Sequence, residues 1–132
     1  YFATRSAVGD PVTRRAQADK KGNKEMMKKS DTYFSVPDSI HDGNPQEILD
    51  RREKVTLLPM LIMQGGHDDN VIPPIQEKFA ATYRAAGGEC QLEIFEGCEH
   101  EWTAVPGPDA DRSHDMVKAF IAKQLRALQK AA

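Results

Sequence analysis

The segment LPMLIMQGGHDDNVIPP, Leu58–Pro74, decides how this chain is read. Its stretch from Met60 to Gly65 is a short continuous apolar run, the pattern of a strand covered on both faces. Two glycines end the run, a histidine and two aspartates follow, and Pro73-Pro74 turns the chain onward. A strand that carries acids at its own C-terminal tip raises the question of what those acids meet.

A second segment, EIFEGCEHEW (Glu93–Trp102), answers it. The residues CQLEIF, 90 to 95, read as another strand. Between the strands, residues 74 to 86 read as a helix: Ile75, Phe79 and Tyr83 recur four apart on one face, and Gly87-Gly88 closes the end. A terminal helix over 110 to 130 carries an apolar stripe of Met116, Val117, Phe120, Ile121, Leu125 and Leu128. The order strand, helix, strand, helix predicts a crossover unit of a parallel sheet, and so an α/β fold.

In such a unit the strands run the same way and lie about 4.8 Å apart as neighbours. The loops leaving their C-terminal ends share one edge of the sheet, where open α/β sheets place their sites. Asp68 stands three residues past Gly65, and His100 five past Phe95. The topology therefore predicts that Asp68 and His100 converge. A carboxylate beside an imidazole selects which ring nitrogen carries the proton and stabilises the imidazolium. The other nitrogen is then free to take a proton from a serine hydroxyl and return it to a leaving group.

The composition allows this reading and closes off others. With 132 residues, 39% hydrophobic and 29% charged, the chain has enough material for one small domain with a core. A net charge of −2 gives no electrostatic footprint for nucleic acid or an anionic membrane. No apolar run approaches the roughly 20 residues that span a bilayer, and no targeting segment is visible. The two cysteines, Cys90 and Cys98, flank the second strand, whose length separates them by about 26 Å, far too great for a disulfide. His67, Asp68 and Asp69 are adjacent and cannot all turn to one ion, so neither a metal site nor a cofactor is expected.

The chain changes character near residue 55. Residues 11 to 33 are polar and helix-favouring, broken into two pieces at Gly22-Asn23. Turn formers follow at Pro37-Asp38 and Gly43-Asn44-Pro45, then a short helix over 46 to 53 with Asn44 as its cap. This half holds few large apolar residues and must rest on another part of the fold. The division is 1–54, a mostly helical cap-like segment, and 55–132, the β-α-β-α part.

The chain resembles the C-terminal part of an α/β-hydrolase of the carboxylesterase and prolyl-oligopeptidase-like kind. PMLIMQGGHDDNVIP matches where that family places a strand, a glycine turn and the acid. AAGGECQLEIFEGCEHEW matches where a helix end and strand lead to the catalytic histidine. The resemblance covers roughly 55 to 130; residues 1 to 54 match loosely the segment that caps the pocket in many such esterases. It implies that Asp68 is the triad acid and His100 the base, with Asp69 and Asn70 capping the turn into the next helix. Asp69 follows the acid directly and is the alternative if the assignment is shifted by one.

The family's nucleophile sits on a G-x-S-x-G elbow before the acid. No such motif occurs here; Ser6, Ser30, Ser35, Ser39 and Ser113 all lack the context. The expectation is a C-terminal fragment of a serine hydrolase acting on a small-molecule carboxylic ester, supplying acid and base but neither nucleophile nor oxyanion hole. The alternatives are a serine peptidase of the prolyl-oligopeptidase type and a catalytically inert binding partner. The expected partner is an upstream half or a second copy, because the strand at 59 to 65 would otherwise present an open edge. Trp102 either walls the substrate pocket or covers the sheet edge. Tyr1 and Phe2, with Tyr33 and Phe34, either line the pocket or pack beneath a cap.

Overall fold

A computed structural model of the chain describes residues 10–35 and 39–131. Tyr1, Phe2 and the Pro37-Asp38 turn lie outside the described residues. The strands are β1 (Met60–Gly65) and β2 (Cys90–Phe95). They pair in parallel, with Met60 opposite Cys90 and Gly65 opposite Phe95. Six helices accompany them among the described residues: α1 (Pro11–Lys20), α2 (Lys24–Tyr33), α3 (Ser39–Asp42), α4 (Pro45–Asp50), α5 (Pro73–Ala85) and α6 (Pro108–Ala131). None is long and apolar enough to cross a membrane.

The register fixes which strand residues share a face. Met60 and Ile62 lie beside Cys90 and Leu92, and this face receives α5. Phe79, Ala80 and Tyr83 of α5 pack with Ile62 and Cys90, and Leu49 of α4 closes the cluster. Fully burying a side chain such as Phe79 contributes about 2–3 kcal/mol. The Tyr83 hydroxyl keeps a partner by donating to the Leu58 carbonyl at 2.6 Å. The opposite face carries Glu93 and Phe95, which meet Arg112 of α6: an ion pair with Glu93, and a guanidinium 4.5 Å above the Phe95 ring.

The terminal stripe is covered only in part. Met116, Val117 and Phe120 are half-buried, whereas Ile121, Leu125 and Leu128 are 41%, 55% and 68% exposed. The reason is length. A 24-residue helix runs about 36 Å, and six-residue strands about 20 Å. The C-terminal turns of α6 overrun the sheet they would cover.

The first half is fastened through polar groups, as its composition requires. Asp10 caps α1, accepting from the Thr13 N–H at 3.1 Å and its hydroxyl at 2.6 Å, with Pro11 in the first turn. Asn44 is fully buried: Oδ1 accepts from the Gln46 and Glu47 N–H groups, and Nδ2 donates to Asp10 at 2.9 Å. Gln46, also fully buried, donates to Asp50 at 2.9 Å and to Thr82 of α5 at 3.0 Å. The single turn α3 stands where sequence chemistry suggested only turns; its Gly43 N–H closes on the Ser39 carbonyl at 2.9 Å.

Candidate active site

Past their paired ends, β1 and β2 send two loops along the same edge of the sheet. These loops touch backbone to backbone. The Gly66 N–H donates to the Phe95 carbonyl at 2.8 Å, and the His67 N–H to the Cys98 carbonyl at 2.9 Å. A Cβ on Gly65 would stand 2.6 Å from the Cys98 oxygen and 2.7 Å from that of Glu99; one on Gly66 would stand 2.7 Å from the Glu96 oxygen. The two glycines after the apolar run are what allow this approach.

The contact brings the Asp68 carboxylate to the His100 imidazole. His100 Nδ1 lies 2.9 Å from Asp68 Oδ2. The other carboxylate oxygen, Oδ1, accepts from the Asn70 and Val71 N–H groups, each at 2.9 Å. The Asp68 side chain is only 10% exposed and that of His100 27%. An ionised carboxylate can only accept, so the proton of neutral His100 is assigned to Nδ1 and the lone pair to Nε2. That is the tautomer a general base needs.

The two neighbours of Asp68 behave differently from it. His67 and Asp69 are exposed. Asp69 accepts from Lys21, through its carbonyl at 2.6 Å and its carboxylate at 3.4 Å. Neither Asp69 nor Asn70 caps α5 as expected: the helix begins after Ile72 without a side-chain cap, its first turn occupied by proline. Asp68 holds the local N–H groups itself, and Asn70 Oδ1 turns to Arg14 instead.

His100 is followed by Glu101 at φ 62°, a left-handed conformation that a non-glycine residue adopts at some cost. The chain then enters a 3-10 turn, Trp102–Ala104. The Trp102 ring lies 4.2 Å from that of Phe95, tilted 33°. It therefore covers the tip of β2 two residues from the base, while remaining partly exposed. Cys98 lies within the loop that carries His100, buried and 3.5 Å from the Asp109 carboxylate. Burial and that acceptor push its thiol pKa up, so it stays protonated. Both cysteines are free thiols.

Three groups that sequence chemistry did not single out hold the acid loop. Buried Gln64, in β1, donates to the Val71 carbonyl at 2.8 Å. Arg14 and Lys21, from α1 and its C-terminal edge, reach Asn70 and Asp69. The signal for Gln64 was a polar residue inside an apolar strand. Arg14 and Lys21, on a polar helix, gave none. Among the described residues no group of three or more His, Cys, Asp or Glu side chains could hold a metal ion. Surface clefts lie along α2 and share no residue with the pair. Ser113 is fully buried and donates to the Ala110 carbonyl.

The model of the prolyl oligopeptidase family matches residues 17–127. The chain belongs to the prolyl oligopeptidase family. Membership in this α/β-hydrolase family makes it a serine-hydrolase relative and agrees with a parallel strand pair covered by helices. The family match includes Asp68 and His100, and it begins well before residue 55, taking in most of the segment whose resemblance was loose. Asp10, Arg14 and the rest of the first turns of α1 precede it. No curated protein and no solved structure matches the chain.

Proposed function

We propose that Asp68 and His100 are the acid and base of a serine hydrolase cleaving carboxylic esters, with the serine supplied by polypeptide outside these 132 residues. The observation that carries this is the 2.9 Å contact between His100 Nδ1 and an Asp68 carboxylate whose other oxygen is already saturated by two N–H groups. The serine hydroxyl attacks the ester carbonyl while His100 Nε2 takes its proton. The same nitrogen returns the proton to the departing alcohol, and a water repeats the cycle on the acyl-enzyme. Asp68 holds the ring in one tautomer and stabilises the imidazolium that forms between these transfers.

Residues 1–54 serve in this reading as a cap over the pocket, with 55–132 as the catalytic part. Support comes from the attachment of α1 to the loop that carries Asp68. The partner is an upstream half, or a second copy, that pairs with the edge of β1 left unpaired among the described residues and covers the exposed end of α6. A peptidase is the second reading, favoured by the family to which the chain belongs; it uses the same acid and base.

A fluorophosphonate probe tests the assignment. The chain alone stays unlabelled. Together with a polypeptide carrying a G-x-S-x-G elbow, labelling appears on that partner and is lost with His100→Ala. Labelling of the isolated chain overturns the external-nucleophile proposal. Matched ester and prolyl-amide substrates then separate the two readings: preferential turnover of the amide makes the enzyme a peptidase.

A further inference from the structure

Arg14 stands 56 residues from Asn70 in the chain, yet its Nε and Nη2 both donate to Asn70 Oδ1, at 3.2 and 2.7 Å. Asn70 in turn offers its backbone N–H to Asp68 Oδ1 at 2.9 Å. A guanidinium is a rigid planar donor, so this pair of bonds fixes the Asn70 side chain more firmly than a single contact could. Arg14 is itself only partly exposed, and α1 is anchored at its start by the Asp10 cap and its link to buried Asn44.

We propose that Arg14 is a positioning residue for the acid: through Asn70 it holds the turn that presents Asp68 Oδ2 to His100. The assignment rests on the reading of Asp68 and His100 as an acid–base pair. It places a control point for that pair on α1, ahead of the segment that the family model matches. Burial lowers the Arg14 pKa, the nearby Asp68 carboxylate pulls it back up, and the guanidinium keeps its proton.

The test is proton NMR of the 132-residue chain, reading the low-field signal of the His100 Nδ1–H and its exchange with solvent. Arg14→Gln should speed that exchange about fivefold, the factor expected when a hydrogen bond loses part of its support. Asn70→Ala, which keeps the backbone N–H but removes the acceptor for Arg14, should do the same. The double variant should add nothing to either change. Circular dichroism and melting curves check that the fold persists; if Arg14→Gln unfolds the chain, Asn70→Ala alone decides. A signal present in the parent chain and unchanged in the folded variants overturns the Arg14 assignment alone. Additive effects in the double variant also overturn it, because Arg14 would then act without Asn70. Absence of the signal from the parent chain overturns the acid–base reading and this one with it.

Discussion

Asp68 sits in a loop that side chains from β1 and α1 hold, whereas the loop of His100 meets it backbone to backbone. The acid loop is tied to β1 through Gln64, to α1 through Arg14 and Lys21, and to itself through two N–H groups on Asp68 Oδ1. The loop of His100 has a turn bond from the Cys98 N–H to the Phe95 carbonyl, the bond its Cys98 carbonyl accepts from the His67 N–H, the weak thiol contact to Asp109, and the left-handed Glu101. The imidazole itself is held by the carboxylate. The two loops therefore meet by different means: side chains from β1 and α1 brace the Asp68 loop, and backbone bonds and the Asp68 carboxylate join the His100 loop to it.

The sharpest way to break this comparison is at the pair. In the complemented enzyme, Asp68→Asn should lower the rate of fluorophosphonate labelling by roughly 10⁴-fold, because an amide favours the wrong tautomer; His100→Ala should cost at least as much. A loss below about tenfold for Asp68→Asn would mean that the acid does not govern the base. The next largest effect belongs to the contact between the loops. Gly65→Val places a side chain where the Cys98 and Glu99 oxygens already stand. It should destabilise the fold by about 2–3 kcal/mol, read from the urea midpoint. An unchanged midpoint would show that the loops are free to separate.

A smaller effect tests the anchor of α1. Asp10→Ala removes a helix cap and should cost about 1 kcal/mol at neutral pH. Burial alone would raise the Asp10 pKa, but hydrogen bonds from Thr13 and Asn44 outweigh it, and the folded value lies below the ordinary 3.8. A depressed carboxylate contributes stability that is present above the unfolded pKa and is lost as pH falls through the folded one. The gap between parent and Asp10→Ala should thus narrow as the pH drops below that of a free aspartate. A constant gap across an acid series of urea titrations would show that charge plays no part in the cap. The smallest effect is expected at Asp69, whose exposed carboxylate meets only Lys21 among the described residues. Asp69→Asn should change stability by less than about 0.5 kcal/mol and leave labelling intact. A loss matching that of Asp68→Asn would move the acid one residue along.

These outcomes also bear on what the sequence could disclose. The strand–helix–strand order was legible because apolar run length and four-residue periodicity are local properties. The convergence of Asp68 and His100 was legible because parallel neighbours must bring their tips to one edge. Local chemistry misled at Asp69 and Asn70, whose capping role was expected from their type; Asp68 had already taken the available N–H groups. Periodicity identified the apolar side of α6 but could not tell where the sheet beneath it ends, so Leu125 and Leu128 emerge exposed. Arg14 was illegible for a different reason. A long cationic side chain on a polar helix looks the same in sequence whether it faces water or reaches across to a loop 56 residues away.

The glycine pair has one more consequence. Because no side chain separates the two loops at Gly65 and Gly66, neither can be redrawn alone. An insertion or a graft in one must be matched by a complementary change in the other, or the rim will open. Anyone wishing to re-engineer this site should treat the two turns as a single exchangeable cassette.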